Sequence, residues 1–337
     1  VAARQDMGHR PGRLAVLRTI PKLARLSTSL YYARLIQGAS MRILAVAVTY
    51  NPEIALLAQV LESVSPQVQG LVIVDNGSTN AGEIRHVATR YNGQLIEIEG
   101  NIGIAAAQNK GIARARDDGF THVLLLDQDT VLASGMVRDL ADNLAALTHR
   151  SERVAAIGPA YFELNSRRQT RAYRADGLRV SRLSLAAETR PIASDFIIAS
   201  GSLVPLSVLE AVGSFKEDLF IDLVDVEWCF RARAAGYRSY LSPTAAVEHR
   251  LGSGTVRVGS REVAVHVPVR NYYWVRNALW LARQPYTPLA WRLYFISRSL
   301  AFLATYPVLA DKRALRLRLI LRGIRDSLAS RLGPLNG

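Results

Sequence analysis

The sequence predicts an α/β fold: a mostly parallel sheet covered by helices on both faces. Three observations carry the prediction. Between residues 42 and 150, short apolar runs rich in β-branched residues alternate with segments of helical period, four times over. Most of those runs are apolar almost throughout, as strands buried on both faces are. And the runs end in polar residues, which places side chains able to do chemistry along one edge of the sheet.

The elements follow in order. "RILAVAVTY" (42–50) is a buried strand, and "PEIALLAQVLESV" (52–64) is a helix with proline at its start. "LVIVDNGS" (71–78) is strand then turn, and "GEIRHVATRY" (82–91) is helix. "QLIEIEG" (94–100) alternates as a strand does, and "IGIAAAQNKGIARARDDG" (102–119) is an alanine-rich helix. "HVLLLDQD" (122–129) is the fourth strand and "SGMVRDLADNLAALTHR" (134–150) its helix. After residue 150 the rhythm changes. "RVAAIGPAYF" (153–162) reads as a strand, and the polar, basic stretch 166–190 as loops or a flap. "DFIIASGSLVP" (195–205) is a strand broken at Ser200-Gly201-Ser202. Two helical segments, "LSVLEAVGSF" and "DVEWCFRARAAGYR", then lead to extended chain at 239–249. The boundaries expected are a basic extension at 1–40, disordered or a mis-assigned start, a catalytic domain at 41–285 and a helical segment at 286–337. Within that domain the rhythm divides residues 41–150 from residues 151–285.

A chain of 337 residues, 49% hydrophobic, is long enough to bury a sizeable core. Its one cysteine, Cys229, excludes an internal disulfide and fits a reducing compartment. The net charge of +14 sits at the ends: +6 on residues 1–40 and +7 on residues 291–337. A nucleic-acid binder carries its charge on the folded surface that grips phosphate, so basic ends on a nearly neutral body argue against nucleic acid. They suit an anionic membrane surface better, with solvated tails as the bland alternative. No stretch of about 20 residues is free of charge, so no spanning helix is expected.

Asp127 and Asp129 flank one residue at the tip of the fourth strand, where alternation aims both to one side. Two carboxylates there repel unless a cation sits between them, and a divalent ion holding a diphosphate is the natural one. The bland reading is a surface turn. A rival class fits "LLLDQDTV" too: haloacid-dehalogenase-type phosphatases, with Asp127 as nucleophile. Against it, that strand normally opens the domain, and the only later lysines are Lys216 and Lys312. In 220–238, Asp222, Asp225 and Glu227 crowd a helix start beside Trp228. Asp222 is the better cap, and a carboxylate near a bound hydroxyl can serve as general base. His249, after a strand, is an ordinary packed histidine or a metal ligand. Neither GxGxxG after a strand nor GxxxxGK[ST] occurs, which argues against a nicotinamide dehydrogenase and a P-loop NTPase.

Seven stretches in order resemble the inverting glycosyltransferases of family 2, with their GT-A fold, and most closely the rhamnosyltransferase branch. They are "VAVTYNP", "LVIVDNGST", "NIGIAAAQNKGI", "LLLDQDT", "IIASGSLVP", "LFIDLVDVEWCFRARAAGYR" and "EHRLGS", and the resemblance covers residues 42–285. The resemblance implies a Rossmann-like sheet and a nucleotide-sugar donor, most of all dTDP-L-rhamnose. It implies Mg²⁺ or Mn²⁺ held by Asp127, Asp129 and His249. It makes residues 41–150 the nucleotide-binding half and 151–285 the acceptor-binding half, and puts Thr49, Asn51, Asp75, Asn76, Asn101, Gly103, Asn109 and Asp127 along the nucleotide. Asp225 becomes the base, and Ser200, Gly201, Ser202, Asp222 and Trp228 line the acceptor side. The acceptor implied is a glycan or lipid-linked glycan at the cytoplasmic leaflet. A catalytically dead nucleotide-binding module remains a further alternative.

The C-terminal stretch 311–332 carries seven Lys/Arg and two acids. As a helix it sets Leu317, Ile320, Leu321, Ile324 and Leu328 on one apolar face, rimmed by Lys312, Arg316, Arg318 and Arg325. Such a helix suits the membrane interface, or packs on the catalytic domain or a second subunit.

Overall fold

All seven residues of β1 (Ile43–Thr49) are buried, and the architecture is organised around that strand. The computed structural model describes residues 41–163, 168–169, 171–249, 255–258, 261–264, 267–309 and 311–335; the extension expected at 1–40 lies outside the described residues. After β1 come α1 (Ile54–Val64), β2 (Gly70–Asp75), α2 (Ala81–Arg90), β3 (Gln94–Glu97), α3 (Ile104–Asp117) and β4 (His122–Asp127). Then follow β5 (Thr130–Leu132), α4 (Met136–His149), β6 (Val154–Glu163), β7 (Arg168–Gln169), β8 (Arg171–Asp176) and β9 (Arg179–Ser184). The chain continues through β10 (Ile192–Ser194), β11 (Ser202–Pro205), α5 (Leu206–Val212), α6 (Val224–Ala234) and β12 (Arg238–His249). It ends with β13 (Thr255–Val258), β14 (Arg261–Ala264), α7 (Pro268–Leu281), α8 (Leu289–Leu309) and α9 (Arg313–Leu328).

The main sheet runs β10-β12-β6-β11-β4-β1-β2-β3, with β5 on β12 and β7 on β6. β4, β1, β2 and β3 are parallel neighbours, as the four βα units predict. β11 runs antiparallel to both β4 and β6 and joins the two halves of the sheet. Alternate residues feed two cores. Leu44, Val46, Val48, Val72 and Leu125 face one, with α3, α6 and α8. Ile43, Ala45, Ala47, Ile73 and Leu124 face the other, with α1, α2 and α4. Both faces being covered is why these strands lack polar alternation.

The stretch 166–190 is not a structureless flap. It holds the antiparallel pair β8–β9, turning at Gly177-Leu178, where glycine takes φ 57°. Its exposed faces carry arginines, which masked the strand period, while Ala172 and Leu185 are buried beneath.

The expected apolar face of α9 is divided. Ile320 is fully buried, and Gly323 lies so near α7 that a Cβ there would come 2.8 Å from the Tyr272 carbonyl oxygen. Arg316, expected on the rim, is buried, bonded to Asn271 Oδ1 and Asp311 Oδ1, both at 2.6 Å. So α9 packs on α7, and its outer face shows Leu321, Leu328, Arg318 and Arg325. On α8, Leu289, Leu293, Ile296 and Leu300 form an exposed stripe at helical spacing. Among the described residues no helix is long and apolar enough to cross a membrane.

The alanine-rich composition of α3 has a steric reason. Gly111 sits over β1 so closely that a Cβ would lie 2.2 Å from Val46 Cγ1. Gly111→Ala should therefore destabilise the chain by about 1–3 kcal/mol through overpacking, against a helix-propensity gain of about 1 kcal/mol. The urea midpoint measures it, and a raised midpoint contradicts the close packing.

Candidate active site

The carboxyl ends of β4, β1 and β2 lie side by side, with Val48 opposite Asp127 and Thr49 opposite Asp75. Polar side chains there lace the loops together. Thr49 Oγ1 donates to Asp75 Oδ1 at 3.0 Å, and the Ser78 amide donates to Asp75 Oδ2 at 3.1 Å. The Ser78 hydroxyl also donates to Asp75. Asn51, at φ 46°, accepts from the Thr79 amide and hydroxyl at 2.8 and 2.9 Å. Asn76 Nδ2 donates to Asn101 Oδ1 at 3.1 Å, and Asn76 Oδ1 accepts from the Ile102 amide at 2.9 Å. Thr49, Asn51, Asp75, Asn76 and Asn101 thus shape one loop edge. Gly103 ends it at φ 91°, where a Cβ would meet the Phe220 carbonyl oxygen at 2.6 Å, so glycine is required.

Asn109 does not join this group. Its amide donates to Phe215 O and Glu217 Oε1, both at 2.9 Å, and accepts from the Phe215 amide at 3.1 Å. It fastens α3 to the segment before α6 rather than to that loop edge.

The acidic tip is built from below. Ser200 Oγ accepts from the Asp127 amide at 2.8 Å and lies 2.6 Å from Thr130 Oγ1. Ser200 and Ser202 are 3% and 2% exposed, and Ser202 Oγ donates to Ala199 O at 2.6 Å. Their expected acceptor-side role is corrected: buried hydroxyls set the turn under Asp127 rather than meet a ligand. Gly201, at φ 75°, donates its amide to Leu125 O and lies against Pro159 and Tyr161. Asp127 and Asp129 are half-buried at the rim. Among the described residues no three metal-ligating side chains converge on one point. The third expected ligand, His249, has backbone opposite Thr130, while its side chain lies outside the described residues. Two carboxylates at one strand tip, with that backbone beside them, fit a hard divalent cation.

Asp225 opens α6 across from this tip. Its Oδ1 accepts from the Val226 amide at 2.8 Å and Oδ2 from the Ala199 amide at 3.3 Å. Burial raises its pKa to about 6; those amides oppose the rise and the Asp127 charge adds to it. Two residues the sequence did not flag complete the neighbourhood. Buried Tyr161 is held well above ordinary phenol ionisation by burial and by the charges of Asp127, Asp225 and Asp129. Arg270 grips both oxygens of Asp222, Nε to Oδ2 at 2.8 Å. Burial works against its charge, but Asp222 and Asp127 together raise its pKa.

Two further expectations fall to burial and pairing. Trp228 is 2% exposed; its indole N–H donates to Gly213 O at 2.8 Å and its ring packs on Phe215, so it cannot stack on a sugar. Asp222 does not cap α6, whose N-cap is Leu223 without a side-chain bond, because Arg270 holds it.

Comparison with known proteins shows the family. Residues 45–204 match the family model described as glycosyl transferase family 2. The dTDP-rhamnosyl transferase RfbF of Shigella flexneri is 32% identical over 252 residues, 73% of this chain and 82% of that protein. The chain belongs to glycosyltransferase family 2, in its rhamnosyltransferase-like branch. An N-acetylglucosaminyl-diphospho-decaprenol L-rhamnosyltransferase of Mycobacterium tuberculosis (strain CDC 1551 / Oshkosh) is 28% identical over 260 residues, 66% of this chain and 80% of that one. A crystal structure of S. aureus TarS 1-349 in complex with UDP-GlcNAc shares the fold, at TM-score 0.53 and 15% identity, over 86% of this chain and 84% of that one. The donor of this glycosyltransferase is a nucleotide sugar, and the phosphatase alternative falls away.

In this glycosyltransferase the raised pKa of Asp225 has a measurable cost. A carboxyl at about 6 in the fold and 3.8 unfolded binds a proton that the unfolded chain releases between those values. Its ionised form therefore lowers stability above pH 6 and not below pH 4. Asp225→Asn should raise the Tm of the metal-free protein at pH 7 and leave it nearly unchanged at pH 4. A lower Tm at pH 7 contradicts the assigned desolvation.

Proposed function

We propose that this glycosyltransferase moves L-rhamnose from dTDP-L-rhamnose, with inversion, to a hydroxyl of a glycan or lipid-linked glycan in cell-surface polysaccharide synthesis. The observation that carries the reading is Asp225, a desolvated carboxylate on α6 facing the Asp127–Asp129 tip of β4. Asp225 takes the acceptor hydroxyl proton as that oxygen bonds to the anomeric carbon from the face opposite the leaving group. The bond from the anomeric carbon to the diphosphate oxygen breaks in the same displacement, which inverts the centre. Asp127 and Asp129, with His249, are the residues to hold Mg²⁺ or Mn²⁺, which when bound neutralises leaving-group charge. The loop edge from Thr49 to Gly103 takes the nucleoside and the diphosphate.

Nucleoside diphosphate release from a panel of nucleotide sugars, with Mg²⁺ or Mn²⁺, tests the donor; release from dTDP-L-rhamnose above the others is the expected result. Asp225→Asn should lose on the order of 10²–10⁴ in kcat while binding donor normally by calorimetry. Asp129→Ala should abolish metal-dependent donor binding with the fold intact. If Asp222→Asn loses transfer and Asp225→Asn keeps it, the base is misassigned.

The proposed location is the cytoplasmic face of the plasma membrane, peripherally bound. Exposed Arg318 and Arg325 beside Leu321 and Leu328, and the apolar stripe of α8, support it. Each basic residue near an anionic leaflet contributes about 1 kcal/mol. Because buried Arg316 and Ile320 tie α9 to the body, substitution is a cleaner test than deletion. Arg318→Glu with Arg325→Glu should abolish salt-sensitive co-sedimentation with anionic liposomes; unchanged binding removes this face as the anchor.

A further inference from the structure

The turn before α6 follows a costly backbone path. Phe220, Asp222 and Leu223 all have positive φ, at 64°, 68° and 62°, and none is glycine. At Phe220 ψ is −66°, and the Ile221 amide closes a tight turn onto Leu219 O at 2.7 Å. Such conformations persist only where the surroundings over-determine them. Here the surroundings come from α7. Asn277, fully buried, directs its amide nitrogen at three carbonyl oxygens of the turn: Leu219 at 3.0 Å, Ile221 at 2.8 Å and Asp222 at 2.8 Å. Its own Oδ1 accepts from Arg276 Nε at 2.9 Å, which fixes the amide's orientation. Arg276, also fully buried, donates to Leu219 O at 2.9 Å, and Arg270 holds the Asp222 side chain. On the far side the Phe220 carbonyl accepts from the Ile104 amide at 2.8 Å, directly after Gly103, and its ring stacks on Tyr273 at 5.1 Å.

We propose that Asn277 is a positioning residue for transfer: it locks the 219–223 turn in its left-handed path and so sets the first turn of α6, with Asp225, at the acceptor side. Asn277 touches neither substrate nor reacting atom, and acts through the turn carbonyls. Phe220 makes the same turn the link between the nucleotide edge at Gly103 and the helix bearing the base. This rests on the reading of Asp225 as the base.

The test uses the full chain with dTDP-L-rhamnose as probe and compares Asn277→Ala with Asp225→Asn. Asn277→Ala should lower kcat about 10- to 100-fold while the calorimetric donor Kd stays within about 3-fold. Adding Leu223→Gly, which takes the left-handed backbone without steric cost, should restore several-fold of the lost kcat. A buried clamp with only a structural role would not be rescued by that glycine. Unchanged kcat in Asn277→Ala, a parallel loss of donor affinity, or no rescue overturns the proposal. Should Asn277→Ala fail to fold, Arg270→Gln, which frees the outer end of the same turn, must show the same split between kcat and donor Kd, and its absence overturns the proposal equally. If Asp225→Asn keeps transfer, the base reading fails and this inference with it. If Asp225→Asn loses transfer while Asn277→Ala keeps it, this inference alone fails.

Discussion

Negative charge gathered in a partly buried place is the constraint on which the rest of this structure depends. Asp127, Asp129 and Asp225 share one neighbourhood, close enough that each acts on the ionisation of Tyr161. Like charges at that density are unfavourable unless amide donors, fixed cations or a bound ion offset them. The fold supplies the first two. Val226 and Ala199 amides point at Asp225, Ser200 braces the Asp127 backbone, and Arg270 adds a positive charge felt at Asp127. A bound divalent cation would supply the third.

The supports arrive from distant parts of the chain. Ser200 lies 73 residues from Asp127, and Arg270 lies 48 from Asp222. The sheet makes this economical. β11 enters beside β4 and brings the 199–202 turn under the acidic tip, while α7 covers the segment leading to α6. Buried hydroxyls and amides hold this arrangement, each with a partner, so the acids stand on a surface with little freedom to relax.

Much of the fold was legible in sequence because hydrophobic periodicity is local. β1 and β4 read as buried strands from their own residues, and Asp127, Asp129 and Asp225 stood out as charge at element ends. The β8–β9 pair did not, because arginines on its exposed faces hid the period. Residue type also misled where direction mattered. Trp228, Asn109, Ser200 and Ser202 lie in the right segments but turn into the protein, and one sequence without its fold does not say which way a side chain faces. Arg270 and Tyr161 carried no local signal. Their importance comes from neighbours supplied by other elements.

The antiparallel strand at the centre of the sheet has a consequence for the order in which the chain folds. β3, β2, β1 and β4 are all made by residue 127, so the parallel half can assemble early during synthesis. Its β4 edge then presents unpaired Val123, Leu124 and Leu125 until Ser202–Pro205 emerges, about 75 residues later, roughly 4–15 s at ordinary elongation rates. β6, although made earlier, reaches the sheet only through that same short strand. An apolar edge waiting that long is a template for pairing with another chain. The nascent protein's exposure to aggregation is therefore concentrated in one interval of translation, and it closes when four residues arrive.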